Sequence, residues 1–394
     1  MKREPFSIDL AGLQVAPAQT WGAVRMVPLL RDEPVHDLRL HPRLYGTDSL
    51  SIVEVGRNQR PGRTAPGEAY VAFVPHALVA RWTVDGAPVA TVGTQMLRPD
   101  QTPSDGFEVR VRRRLVRREQ PNQARLLPLH LAVDGYLSLG FHGPATRWPE
   151  WSRRTLSEGL SERSEWFSSD GEWGLEDALR VFEIHPRQCG VVLYCGDQLV
   201  AAFVVPHPDD YRALHPTLIN NMFAAEIQHF ARMYPNVEGM VARFDESAVH
   251  DLADLRSALD VATQSWREMH TIMAAGLFDA PMMGEQAYRM GRFTLTRFLP
   301  VFDPDAENHI GEAIVDDAGN LAYLATVRLS VAQAKRGHLL AALADNDWNL
   351  DETAAYLRTD RRDLILRLDR AGFGDLLRPD LVEPARRSVG IPAK

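Results

Sequence analysis

Residues 188–206, QCGVVLYCGDQLVAAFVVP, set two apolar runs on either side of Gly196-Asp197. Short runs of branched and aromatic residues joined across a Gly-Asp pair make a β-hairpin. This stretch therefore commits the middle of the chain to an antiparallel sheet. A helix is expected directly after it, in HPDDYRALHPTLINNMFAAEIQHFARM, with Tyr211, Leu214, Leu218, Met222 and Ala225 on one side. HDLADLRSALDVATQSWREMHTIMAAGLF reads as a further helix. RFTLTRFLPVF returns to strand, and IGEAIVDDAGNLAYLATVRL is a second hairpin over Asp317–Asn320.

The first 145 residues look β-rich. AYVAFVPHALVARWTV and RLLPLHLAVDGYLSLGF are short apolar runs broken by Gly, Pro and Asp-Gly, the punctuation of strands and turns. VDG occurs at Val84–Gly86 and again at Val133–Gly135, each time as a tight turn. Residues 152–178 are rich in Ser and Glu and carry Trp166 and Trp173. They form either a long loop or a short amphipathic helix, and the tryptophans argue against a free linker. The expected class is α+β, with a β-rich N-terminal half, a hairpin-helix central part and a small all-helical C-terminal helix-turn-helix module. In domain terms, 1–150 is the β-rich part of a body, 151–330 its α/β part, and 331–394 the module with its tail.

Net charge bounds the function. At −8, with a pI near 5.9, the whole chain does not attract phosphate backbones, so nucleic-acid binding needs a local basic patch. Two concentrations of arginine qualify. RVRRRLVRRE carries Arg110, Arg112, Arg113, Arg114, Arg117 and Arg118 between apolar residues. It reads as an edge strand whose charges block pairing, or as a surface that contacts phosphates. The other lies within NDWNLDETAAYLRTDRRDLILRLDRAGF, residues 346–373, which reads as helix, tight turn, helix. There Asn349 caps the second helix, Ala354 and Leu357 pack inward, Arg361 opens the third helix, and Leu364 and Leu368 lie on its buried side. Gly372-Phe373 ends that helix.

This stretch resembles Fis- and NtrC-type C-terminal helix-turn-helix domains, aligning without gaps from Asn349 to Leu368. The resemblance implies DNA contact through Arg361, Arg362, Arg367 and Arg370, with the start of the third helix in the major groove. Between Val331 and Arg378, however, eight basic residues face eight acidic ones, so non-specific affinity is weak. Arg358 stands at the turn where relatives carry Gly, a backbone cost if φ is positive. Ile365 and Leu366 stand where relatives offer polar groups, and an apolar patch there suits a protein contact at least as well as a groove.

A second resemblance covers residues 8–234. LQVAPAQTWGAVRMVPLL, LPLHLAVDGYLSLGFHGPATRWPEWS and CGVVLYCGDQLVAAFVVPHPDDYRALHPTLINNMFAAEI are similar to the ARG- and rhodanese-phosphatase-associated protein family. That likeness implies a context beside ADP-ribose-removing and phosphatase-like proteins in bacterial conflict systems. It implies no particular reaction.

No Walker loop, dinucleotide fingerprint, HExxH or G-x-S-x-G occurs, so no catalytic residue, cofactor or metal is expected. Cys189 and Cys195 are expected to be reduced. If the strand between them is straight, they stand roughly 20 Å apart, beyond disulfide reach. The start, MKREPFSIDL, lacks a signal-length apolar run, and no segment is long enough to span a membrane, so a cytoplasmic location is expected. These features point to a non-enzymatic regulatory or adaptor protein whose C-terminal module contacts DNA. The alternative is a scaffold whose module docks on a protein or a second copy, and an enzyme or binder for nucleotide or ADP-ribose-type ligands stands third.

Overall fold

Both hairpins read from the sequence are built into one antiparallel sheet. The computed structural model describes residues 3–36, 134–138, 140–159, 163–168, 182–217, 235–239, 245–290 and 292–390, with short strands between 53 and 126. Strands β1 (Glu4–Phe6), β2 (Leu13–Val15), β3 (Gln19–Trp21) and β4 (Val24–Arg31) come first. Then follow β5 (Val53–Glu54), β6 (Glu68–Ala72), β7 (Leu78–Trp82), β8 (Pro88–Val92), β9 (Phe107–Glu108), β10 (Val116–Gln120), β11 (Gln123–Leu126) and β12 (Arg163–Ser168). The last six are β13 (Gln188–Cys195), β14 (Gln198–Val204), β15 (Met282–Met290), β16 (Phe293–Pro300), β17 (His309–Asp316) and β18 (Leu321–Arg328).

The large sheet runs β1-β15-β16-β17-β18-β14-β13-β4-β2, with β3 also on β4. Gly196, at φ 61°, supplies the left-handed turn that joins β13 to β14. At the second hairpin, Asp316 Oδ1 accepts from Ala318 N and Asn320 N, closing the turn into β18. Every residue of β4 and of β13 is buried, so both sheet faces must be covered. On one face Val191, Leu193 and Phe203 pack with Tyr211. On the other, Val192, Leu324 and Phe298 pack with Leu277 and Met273.

The helices in chain order are α1 (Trp148–Gly159), α2 (Pro208–Thr217), α3 (Leu252–Phe278), α4 (Val331–Asp345), α5 (Leu350–Tyr356), α6 (Arg361–Leu368) and α7 (Pro379–Arg387). Tyr211 belongs to α2 and Leu277 to α3, so each sheet face carries one of these helices. The chain divides into two units. One holds Met1–Leu127, Glu162–Val301 and His309–Arg328, and the other Pro128–Ser161, Phe302–Asn308 and Leu329–Lys394. The sheet lies in the first. The second is helical, and an aromatic cluster fills it: Trp148 lies 4.8 Å from Trp151 and 5.2 Å from Trp348, with Phe373 5.9 Å from Trp151.

Several local readings change. Val133–Gly135 was expected as a turn after a strand, but residues 134–138 are helical and buried. Tyr136, Leu137 and Phe141 recur at helical spacing and enter the interior of the helical unit. Of the two readings for residues 152–178, the helix holds as far as Gly159, and Trp166 then lies in β12. Trp173, Leu218, Met222 and Ala225 lie outside the described residues. Strand β15 has no counterpart in the sequence reading, because MMGEQAYRM alternates poorly and carries a glycine.

Candidate functional site

The sequence-predicted site is the third helix of the helical unit. Ser330 opens α4 with a capping box, its hydroxyl accepting from Gln333 N while the Gln333 side chain accepts from Ser330 N. Asn349 caps α5, accepting from the amides of Asp351 and Glu352 at 3.0 and 3.3 Å. Asp360 caps α6, accepting from Asp363 N at 2.8 Å. Between α4 and α5, Asp347 and Trp348 both take positive φ, 50° and 60°. Two such non-glycine residues in succession persist only where packing over-determines them. Trp348 has that support: its ring meets Trp148, its indole N–H donates to His142 O, and its amide donates to Leu343 O at 2.7 Å.

Ala354, Leu364 and Leu368 are buried as expected, and Leu357 is half-buried; on α4 Leu340 and Leu343 are buried and Leu339 is half-buried. Ile365 and Leu366 are buried too, at 5% and 3% exposure. They pack with Val382 and Ala385 of α7 and with Leu350, Leu377 and Leu381. Arg386 fastens α7 by donating Nε and Nη2 to the two carboxylate oxygens of Asp369, at 2.7 and 2.5 Å.

At about 100° per residue, burial of Leu364, Ile365, Leu366 and Leu368 takes more than half the circumference of α6. The outward surface is a narrow stripe through Asp363, Arg367 and Arg370, with Arg361 and Arg362 exposed in the first turn. Arg361 donates to Asp351 at 2.9 Å, and Arg362 lies 3.9 Å from Asp363. Arg367 and Arg370 make no ion pair among the described residues. All four arginines are accessible, and two are already neutralised. Arg117 and Arg118 lie on β10, which ends the smaller sheet β10-β11-β12-β6-β5 as an edge strand. Arg110, Arg112, Arg113 and Arg114 lie outside the described residues.

The sheet unit also holds polar groups outside the predicted site, among them the two cysteines. Cys189 and Cys195 are buried, form no disulfide, and lie at opposite ends of β13. Burial pushes the Cys189 thiol up to about 11, against the opposing pull of Arg31, so it stays a thiol rather than a nucleophilic thiolate. Arg31 is itself buried and donates to Leu321 O at 2.6 Å. Close by, His215 Nδ1 and Tyr211 OH share a hydrogen bond of 3.2 Å, and burial lowers the His215 imidazole to about 4. The Cys189 thiol and the His215 imidazole are thus neutral and enclosed beside the interior strand β13.

Glu312 is the most perturbed carboxyl among the described residues. It lies fully buried on β17, opposite Arg297 in the strand register, with Arg297 Nε 3.6 Å from one of its oxygens. Neither carboxyl oxygen has a hydrogen bond. Burial raises the group to about 8, and the attraction of Arg297 only partly offsets it. A periodicity scan has no means of finding such a residue, because Glu312 breaks the apolar pattern it sits in.

No helix among the described residues is long and apolar enough to cross a membrane. No curated protein and no solved structure matches the chain. A family model does match, over residues 8–291, which is well over half of the sequence and extends past the likeness first seen at 8–234. It covers the large sheet's β2–β4, its central hairpin and helices α2 and α3. The chain therefore belongs to the ARPP-2 family, the ARG- and rhodanese-phosphatase-associated proteins.

Proposed function

We propose that this chain is a non-enzymatic regulatory or adaptor protein of the cytoplasm whose helical unit works as a docking piece. The observation that carries this reading is the burial of Ile365 and Leu366 beneath α7. A helix that reads a groove keeps a broad outward face for base edges. Here the outward side of α6 narrows to Asp363 and Arg367, with Arg370 just beyond it, while the exposed Arg361 and Arg362 already meet Asp351 and Asp363. Two unpaired arginines on one ridge suit an acidic patch on a protein partner, and the nearby Asp363 gives that contact a polarity. A role within a bacterial conflict or stress system rests on the family's context alone.

DNA contact is the second reading, favoured by the exposure of Arg361, Arg362, Arg367 and Arg370 at one end of the unit. One experiment separates the two. Binding of the full chain to genomic fragments is measured by fluorescence anisotropy across a salt series, for the wild type and for Arg367→Ala/Arg370→Ala. The docking reading expects no salt-dependent binding at low micromolar protein. A linear dependence of log K on log salt, with a slope that falls by about two units in the double variant, would overturn it in favour of DNA. The full chain is required because Pro128–Ser161 belongs to the same unit as the C-terminal helices.

A further inference from the structure

We draw no further inference here: the strongest candidate, the apolar patch that Leu252 and Leu259 leave exposed on the first two turns of α3, carries nothing because nothing in the structure shows what covers it.

Discussion

Arg336 and Asp134 stand 202 residues apart in the chain, and Nη2 of the first donates to both carboxylate oxygens of the second at 2.7 Å. The guanidinium also lies over the Phe373 ring, 4.9 Å from its centroid. The pair ties a segment from the middle of the sequence to α4, and both side chains are largely buried. Removing one partner of such a pair strands the other charge. Asp134→Asn is expected to destabilise the helical unit by about 3 kcal/mol, read as a lower urea midpoint in far-ultraviolet circular dichroism. A loss below about 0.5 kcal/mol would show that the ion pair adds little to the stability of the unit.

Burial of Ile365 sets a contrast within α6. Ile365→Ala should cost about 2–4 kcal/mol, because it opens a hole beneath α7. Arg367→Ala, two residues on and exposed, should stay within about 0.5 kcal/mol. Both are measured by denaturant titration of the full chain. If the two substitutions cost alike, α7 does not cover α6 in solution, and the groove reading regains its outward face.

The difference between those neighbours also shows what the sequence made visible. Local signals carried well: the Gly196 turn, the Asn349 cap and the inward positions Ala354 and Leu364 are written within a few residues of where they act. The four arginines of α6 were likewise found, because charge at a helix start is a local feature. Ile365 and Leu366 stood out as an apolar patch, but what covers them was not legible, since their cover arrives from Val382 and Ala385, beyond the end of the motif. Tyr136 and Leu137 were missed for the opposite reason. Their helical spacing was present, but the Asp-Gly pair beside them suggested a turn.

Glu312 gives the sheet unit a pH signature. Its folded pKa is raised to about 8, above the 4.5 of a free glutamate. The folded state therefore holds a proton that the unfolded state has released, and its stabilising effect is complete only below about pH 4.5. Stability should fall as pH rises from there through 8, by up to about 1.4 kcal/mol per pH unit. Glu312→Gln, neutral at every pH, should flatten that slope. Guanidinium midpoints at pH 5, 6.5 and 8 make the comparison, and parallel slopes in the two proteins would place the carboxylate in its charged form. His215 and His270, both lowered to about 4, act in the other direction. They contribute stability above about pH 6.5 that is lost as pH falls through 4.

Gly337 sits in the middle of α4, where alanine would ordinarily add about 1 kcal/mol through helix propensity. A Cβ at this position, however, would meet the Phe302 ring at 2.0, 2.4 and 2.5 Å. Overpacking of a buried ring costs about 1–3 kcal/mol, so the clash is expected to win and Gly337→Ala to lose about 1–2 kcal/mol. Melting temperature checks the sign. A gain would mean that Phe302 moves freely out of the way.

Arg358 is the reverse case. It follows the C-cap of α5 at φ 51°, in the left-handed region that glycine favours. Its amide donates to Ala355 O at 3.1 Å, and that of Thr359 to Ala354 O at 2.9 Å. These are the two bonds of a Schellman ending, here built with arginine in the left-handed position. Left-handed backbone costs a side-chain-bearing residue about 1–2 kcal/mol. Glycine removes that cost but loses about 0.4–1 kcal/mol through the freedom it gives the unfolded chain. The difference favours glycine, so Arg358→Gly is expected to stabilise the helical unit by about 0.5–1 kcal/mol. Arg358→Ala, which keeps the strain, should leave stability near that of the wild type. Side-chain contacts do not complicate the comparison, since Arg358 is exposed and makes no ion pair among the described residues. Chemical denaturation of the three proteins decides it. A glycine variant less stable than the alanine one would mean that the left-handed turn is not the conformation held in solution.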